Sequence, residues 1–414
     1  MDTQTLLESE LQGSVRFFLD YTNLDPASSG YGLTADCTKN PAVASIACAG
    51  FALTAWVIAA ERGYLPRSQA RDMARRTMRT LQRSVAHHRG FLAHFLHIDS
   101  GERYRKCECS TIDTALCLNG VITAAAYFHE DAETADLARE LLERVDWGLL
   151  VFRRGQRALF RMAYNPDRDG DYVGDRPGLI GQWSMAAEQK MMYLQAATRL
   201  DPALAGELYH GFSRDIGYFD GQPIIINPGG NLFAYQFTEA WLDTARYRDP
   251  DGVDWFNNTR LAALANRSFC IENSSRYRTY HARSWGLSAG DSPSGYSVFG
   301  STPCLGAPHH NGTVSIYAAV ASLPFVPEAA LEMMHYLYDH QPRTWGPYGF
   351  YDAYNLDVSP PWYSEAIYGI DKGCSMIMIE NYLTGLIWEV YTASPWINSA
   401  LQVLGFREQR GGLR

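Results

Sequence analysis

Apolar residues recur along the chain in two alternating patterns. Residues 42–62 are apolar nearly all round and stop at Gly63, which predicts a buried helix with a glycine stop. Residues 67–86, opened by Pro66, are basic and place their apolar residues at helical spacing, which predicts a solvent-facing partner. The alternation repeats through 110–129 and the charged 131–145, then 182–199 and 202–216. It continues through 230–247 and 252–271, then 313–322 and 327–338. An amphipathic segment at 6–21 opens the chain, and a last buried helix is predicted within 368–388. Residues 90–96 read as one short strand, and no βαβ rhythm or G-x-G-x-x-G turn is present. Around a dozen helices over this length agree with ordinary helix and loop lengths. An inner ring of apolar helices inside an outer ring of amphipathic ones is the simplest closure, so the expected class is all-α, an (α/α) toroid.

The 414 residues, 46% of them hydrophobic, can bury a large core, and no compositional break marks a linker. A single domain over 1–414 is expected. The net charge of −9 lacks the basic footprint of a nucleic-acid binder. No leader pattern follows Met1 and no uncharged apolar run is long enough to span a bilayer, so a soluble, cytoplasmic protein is expected. The eight cysteines form no C-x-x-C pair and read as packed free thiols. Asp167-Arg168-Asp169-Gly170-Asp171 hints at a calcium loop, but Tyr172 and Gly178 stand where that loop needs Gly and Glu. His87-His88 and His309-His310 are poorly spaced for chelation, so neither metal nor cofactor is expected. Aromatics make up 13% of the chain and, in an acidic protein, suit a neutral hydroxylated ligand. Long loops rich in Gly, Pro and aromatic residues at 165–181, 217–230, 286–312 and 345–373 read as binding rims.

Several carboxylates stand in sequences too apolar to hold them idly. Asp371, between two glycines at a predicted helix start, is either an N-cap or a carboxylate kept ionised by the helix dipole, which suits a general base. Glu188 lies among small apolar residues, where burial would hold its proton and suit a general acid; alternatively Gln189, Lys190 or a backbone group satisfies it. One carboxyl pushed up and another down is the acid/base pattern of glycoside hydrolysis. Ser110 and Asp113 match a capping box, yet Glu108, Asp113 and Thr114 crowd one helix mouth. Asp291 and Asp352 read either as Asx-turn residues or as partners of sugar hydroxyls. Trp345, Tyr348 and Phe350 are the expected stacking surfaces, and Glu380 is a second carboxylate inside the last apolar run.

These segments resemble the bacterial glycoamylase-like family, which contains endo-β-1,2-glucanases. The resemblance rests on Ala44-Ser45-Ile46-Ala47, Ser110-Thr111-Ile112-Asp113-Thr114-Ala115-Leu116 and Gly286-Leu287-Ser288-Ala289 with Asp291. It extends through Trp345-Gly346-Pro347-Tyr348-Gly349-Phe350-Tyr351-Asp352 and Gly369-Ile370-Asp371-Lys372-Gly373 with Met378-Ile379-Glu380-Asn381-Tyr382, covering roughly residues 30–390. It implies an (α/α)6 toroid and inverting hydrolysis of β-1,2-glucan or its oligosaccharides. Glu188 would be the acid and Asp371 the base, with Asp113 beside them. Glu108, Trp183, Gln236, Asp291, Tyr296, Trp345, Tyr348, Phe350, Asp352 and Glu380 would hold substrate. The family's histidine ahead of Trp241 is absent here, where Tyr235-Gln236-Phe237 stands. A transglycosylase or phosphorylase-like enzyme on the same glucan, or an inactive glycan-binding protein, are the alternatives. The substrate is the expected partner, and the sequence does not set an oligomeric state.

Overall fold

A computed structural model describes residues 1–167, 169–170 and 178–409. The calcium-like motif therefore falls partly outside the described residues, at Arg168 and Asp171. Among the described residues are fourteen α-helices: α1 (Thr3–Asp20), α2 (Ile46–Glu61), α3 (Arg67–Arg83), α4 (Thr111–Tyr127), α5 (Ala132–Arg144), α6 (Lys190–Ala197), α7 (Pro202–Tyr209), α8 (Phe233–Trp241), α9 (Trp255–Glu272), α10 (Ile316–Val320), α11 (Pro327–His340), α12 (Gly369–Leu383), α13 (Leu386–Ala393) and α14 (Pro395–Leu404). Strands are two to four residues long and antiparallel, so the protein is all-α in class. None of the described helices is long and apolar enough to cross a membrane.

The sequence pattern separates two helix types. α2 is buried from Ile46 to Ala59, whereas α3 buries only Ala70, Met73, Ala74, Thr77, Met78, Thr80 and Leu81, a stripe dominated by i, i+3, i+4 spacing. α1 packs on α2 and α12, α3 on α2, α5 on α4, α7 on α6, α9 on α8 and α11 on α10. The buried helices touch in turn. α2 and α4 approach backbone to backbone, so a Cβ on Gly120 would lie 2.0 Å from the Gly50 carbonyl oxygen. Gln195 of α6 donates to the Ala115 carbonyl and to Asn119 of α4 at 2.8 and 2.7 Å. Met191 of α6 donates its N–H to Thr238 of α8. Gly373 of α12 lies flat against Phe51 of α2. Between these helices Phe51 meets Trp241 at 4.9 Å and Phe237 at 6.1 Å.

Some expected elements differ for a physical reason. The 182–199 segment is helical only from Lys190, because its first half bonds sideways instead of along a helix. Trp183 N–H donates to Phe160, Ser184 accepts from Ser213 N–H, and the Glu188 carbonyl accepts from Thr238 Oγ1. Likewise Val314 and Ser315 pair with Tyr354 and Ala353, so α10 starts late. Gly385, at φ 75°, breaks the last predicted helix into α12 and α13. The rest of α13 and all of α14 had no counterpart in the sequence pattern; α13 packs on α4, α8 and α12, and Tyr391 donates to buried Asn119. Seven of the eight cysteines are buried, and none forms a disulfide.

Three expectations for substrate contact are corrected by packing. Glu380 is buried toward the far end of α12 from Asp371, with Arg62 Nε at 2.8 Å and Thr384 Oγ1 at 2.6 Å. Gln236 is fully buried, its amide donating to the Ala318 carbonyl and Ser322 Oγ, which ties α8 to α10. Trp345, Tyr348 and Phe350 belong to a hairpin lying on α1: Tyr348 donates to Asp20, and Trp345 meets Phe350 edge to face at 4.7 Å. An aromatic-rich loop signals ring packing, but not on which side of the helix layer the rings sit.

Two substitutions test this account. Gly120→Ala drives a methyl into the Gly50 carbonyl and should cost about 1–3 kcal/mol of overpacking strain, read as a lower denaturant midpoint. Arg62→Met leaves the Glu380 carboxylate buried without its cation and should cost about 3 kcal/mol, again seen in denaturant unfolding.

Candidate active site

The N-terminal approaches to the buried helices carry the polar residues. Ladders of two or three residues hold them: Val43–Ser45 with Phe95–His97, Cys109–Ser110 with Ala163–Tyr164, Ala289–Gly290 with Ser297–Val298, and Val314–Ser315 with Ala353–Tyr354. Each ladder pins the residues just ahead of a helix or a rim loop, which is what a site on loops needs in order to be rigid.

On one side His94 sits between two carboxylates. Its Nδ1 is 2.8 Å from Glu108 Oε1 and its Nε2 is 3.6 Å from Asp113 Oδ1, with the ring stacked on Phe95. Burial alone would lower the imidazole pKa, but Asp113, the bond to Glu108 and Asp36 together push it up to about 9. Glu108 in turn sits low: burial works against its charge, and the His94 bond and charge outweigh it. Asp113 also fulfils its capping role. Its N–H donates to Ser110 Oγ, while Ser110 Oγ donates to Asp113 Oδ2 at 2.5 Å. The capping reading of the Ser110–Asp113 pair thus holds, and it leaves Asp113 Oδ1 beside His94. Asp36 is raised to about 6 by burial, with His94 pulling it down and Asp113 pushing it up. Its backbone is fixed by Val43 and Gly369, and its carboxylate has no hydrogen bond among the described residues.

Glu188 lies in the turn just before α6, part-exposed and with no side-chain hydrogen bond to its carboxyl among the described residues. Gln189 bonds instead to the Met185 carbonyl. Burial raises Glu188 to about 7; Asp113 adds to the rise, and its own backbone N–H and Lys190 oppose it. The buried indole of Trp183 donates to Thr111 Oγ1 at 3.0 Å and braces the Glu188 turn against α4.

On the other side stands a carboxyl pair. Asp371, in the first turn of α12, makes no cap bond and is 1% exposed. Tyr296 donates to its two oxygens at 3.1 and 3.3 Å, and Tyr317 and Asp352 also bond to it. Burial first, then the charge of Asp352, hold its pKa well above the usual carboxylate range. Burial raises Asp352 to about 6, while the Asp291 N–H and the bond from Asp371 pull it down. The expectation that the helix dipole keeps Asp371 ionised is therefore corrected: burial and the neighbouring Asp352 charge favour its protonated form, and the two carboxyls titrate as a pair. Asp291 is fully buried, its N–H 2.6 Å from Asp352 Oδ2, and its Oδ2 accepts from Lys39 Nζ and Ser364 Oγ at 2.7 and 2.6 Å. Neither Asp291 nor Asp352 serves a simple Asx turn.

The two sides belong together. Cys48, in the first turn of α2, feels the charges of Asp36, Asp371 and Asp113, and Glu188 feels Asp113. Of the site residues expected from sequence, Glu108, Asp113, Glu188, Asp291, Tyr296, Asp352 and Asp371 gather here, with Trp183 as a brace. His94 and Asp36 were missed. The signal for His94 was a basic residue inside a short apolar strand; Asp36 lay unmarked in a Gly/Ser/Pro-rich loop.

Comparison with known proteins follows the same lines. The chain is 25% identical over 439 aligned positions to an exo β-1,2-glucooligosaccharide sophorohydrolase (non-reducing end) of Parabacteroides distasonis, covering 97% of this chain. This chain spans 58% of that relative's length. The fold matches an endo-β-1,2-glucanase from Chitinophaga pinensis with a TM-score of 0.84 at 23% identity, over 99% of each chain. It also matches a β-1,2-glucanase from Parabacteroides distasonis with a TM-score of 0.83 at 22% identity, over 98% of this chain and 60% of that one. Residues 181–395, more than half of the sequence and the stretch that holds Glu188, Asp352 and Asp371, match the family model of the glycoamylases (glucoamylases), and the chain belongs to that family.

Proposed function

We propose that this protein is a glycoside hydrolase that cleaves β-1,2-linked gluco-oligosaccharides with inversion, using one (α/α)6 toroidal domain. The closure of α2, α4, α6, α8, α10 and α12 into an inner ring is supported by the contacts between successive members. What carries the chemical reading is electrostatic: burial raises the part-exposed Glu188 carboxyl to about 7, and burial with like charge raises the Asp371 and Asp352 carboxyls as a pair. The substrate class follows relatives named as a β-1,2-glucooligosaccharide sophorohydrolase and an endo-β-1,2-glucanase.

In this reading Glu188 gives its proton to the glycosidic oxygen as the bond to the anomeric carbon breaks, its electrons leaving with the departing sugar. Water attacks the anomeric carbon from the opposite face. Its proton passes to the Asp371–Asp352 pair, which goes from one negative charge to none. The Tyr296 and Tyr317 hydroxyls hold Asp371 in place for that transfer. His94, charged and fixed between Glu108 and Asp113, keeps Glu108 ionised toward sugar hydroxyls. Asp36 supplies a further acceptor between the two groups.

Two measurements test the assignment. Glu188→Gln should lower kcat by about 10²–10⁴-fold while gluco-oligosaccharide binding persists, and NMR of the unmodified enzyme's first product should show the α-anomer. Near-normal turnover in the variant would remove Glu188 from its role, and a first-formed β-anomer would overturn inversion. The kcat/KM profile should be a narrow bell. Activity is lost as pH rises through about 7, because Glu188 ionises, and as pH falls through about 6, because the pair fills with protons. A plateau extending to pH 9 would contradict the Glu188 assignment, and full activity kept down to pH 4 would contradict the pair.

A further inference from the structure

The hairpin that carries Asp352 continues outward into a surface groove of about 590 Å³ lined by Lys39, Asp291, Arg343, Pro360, Trp362 and Glu365, among others. That size lies within the range of about 300–1,000 Å³ typical of small-ligand sites. Resting on the functional reading above, we propose that this groove is an outer sugar subsite, which binds a glucosyl unit of the chain beyond those held at the carboxyls and makes the enzyme favour longer oligosaccharides.

Three observations support it. First, the groove is built from the active site's own parts. Asp352 enters the Ala353–Asn355 strand, Trp362–Tyr363 pairs back along it, and Ser364 then donates to Asp291 Oδ2. The wall of the groove is therefore tied to the carboxyl pair, since the Asp291 N–H contacts Asp352 directly.

Second, Trp362 is an unused ring. It is part-exposed, takes no part in the hydrophobic core, and has no ring, cation or indole hydrogen-bond partner among the described residues. Its neighbour Tyr363 shows the contrast: Arg343 lies 4.3 Å over its ring, and Tyr354 stacks on it at 5.9 Å. A large apolar face left half-open beside polar groups suits the C–H face of a pyranose.

Third, an acceptor here is unfilled. Asp291 is fully buried and its Oδ2 is satisfied by Lys39 and Ser364, but its Oδ1 has no hydrogen-bond partner. A buried carboxylate oxygen without a donor costs about 1–3 kcal/mol or more, which a ligand hydroxyl would offset. The charges favour an uncharged ligand. Lys39 and Arg343 balance Asp291 and Glu365, two of each sign, and Lys39 is already paired to Asp291 while Arg343 lies over Tyr363. With the charges balanced, an anionic ligand gains no net attraction here, whereas a polyhydroxylated one finds a ring and an acceptor.

The test is chain-length dependence, measured as kcat/KM for β-1,2-gluco-oligosaccharides of increasing length with the unmodified protein, Trp362→Ala and Trp362→Phe. The unmodified protein should gain kcat/KM with length up to the oligomer that reaches the groove. In Trp362→Ala the ratio of long-chain to short-chain kcat/KM should fall about tenfold through KM, as loss of uniform binding requires, and Trp362→Phe should keep part of the gain. The same length dependence in all three proteins, or a fall that is equal at every length, overturns the subsite while leaving the hydrolase reading intact. No hydrolysis at any length by the unmodified protein overturns that reading and the subsite with it.

Discussion

Two buried carboxyls in contact cannot both be ionised, and the arrangement around Asp371 and Asp352 follows from that constraint. Each would lose several kcal/mol of hydration on burial, and their like charges in a medium of low polarity add to the penalty. One retained proton removes both problems and supplies a hydrogen bond between them. The neighbours then serve the single remaining charge. The Asp291 N–H points at Asp352, and the tyrosine hydroxyls of 296 and 317 point at Asp371. Behind them Lys372 is committed to Glu10 and the Phe350 carbonyl at 2.7 and 2.8 Å, which anchors α12 to α1 and to the 345–352 hairpin. Its positive charge still reaches Asp352 and helps to hold that pKa near 6.

Magnitudes decide why the helix dipole does not rule at Asp371. A carboxylate in the first turn of a helix gains about 0.3–1 kcal/mol, up to about 2 in a partly buried setting. Full burial beside a second carboxyl opposes ionisation by more than that. The first-turn position is real, but it is the smaller effect. On the His94 side the balance is reversed. There a cation lies between the carboxylates, so Glu108 sits low and the imidazole sits high. The cleft is therefore split into a half that keeps its charges and a half that keeps its protons, with Glu188 between neutral and ionised at neutral pH. Acid and base chemistry need that difference, and it arises from where one histidine is placed.

What the sequence made legible is what packing makes periodic. The apolar helices and their amphipathic partners follow from spacing alone, whereas the one strand expected over 90–96 is two, Phe91–Leu92 and Phe95–His97, each with its own partner; the carboxylates in the cleft stand out because apolar neighbours make them expensive. Helix ends were less legible. The turn ahead of α6 and the late start of α10 depend on hydrogen bonds to residues 30 to 50 positions away, such as Glu188 with Thr238 and Ser315 with Ala353. Roles that depend on depth were legible only in part. Glu188 and Glu380 look alike in sequence, each a carboxylate inside an apolar run. One faces the cleft without a partner, and the other is neutralised by Arg62, a residue more than three hundred positions earlier. Sequence spacing cannot distinguish these cases, because the cation that settles the matter comes from another helix.

The same reasoning explains why the aromatic loops misled. Trp345, Tyr348 and Phe350 sit in a segment as rich in rings as any sugar-binding rim, yet the hairpin turns them onto α1, where Phe17 and Tyr21 meet Tyr348 edge to face. Gly349, at φ 83°, makes that turn possible: a side chain there would occupy the space of the Glu10 carboxylate, which lies 1.9 Å from the position of a Cβ. Trp362, by contrast, has no ring packed on it among the described residues. For a binding ring the informative property is thus not membership of an aromatic cluster but exclusion from one. A clustered ring has already used its faces to stabilise the fold, whereas a half-buried ring without partners keeps a face for something outside the chain.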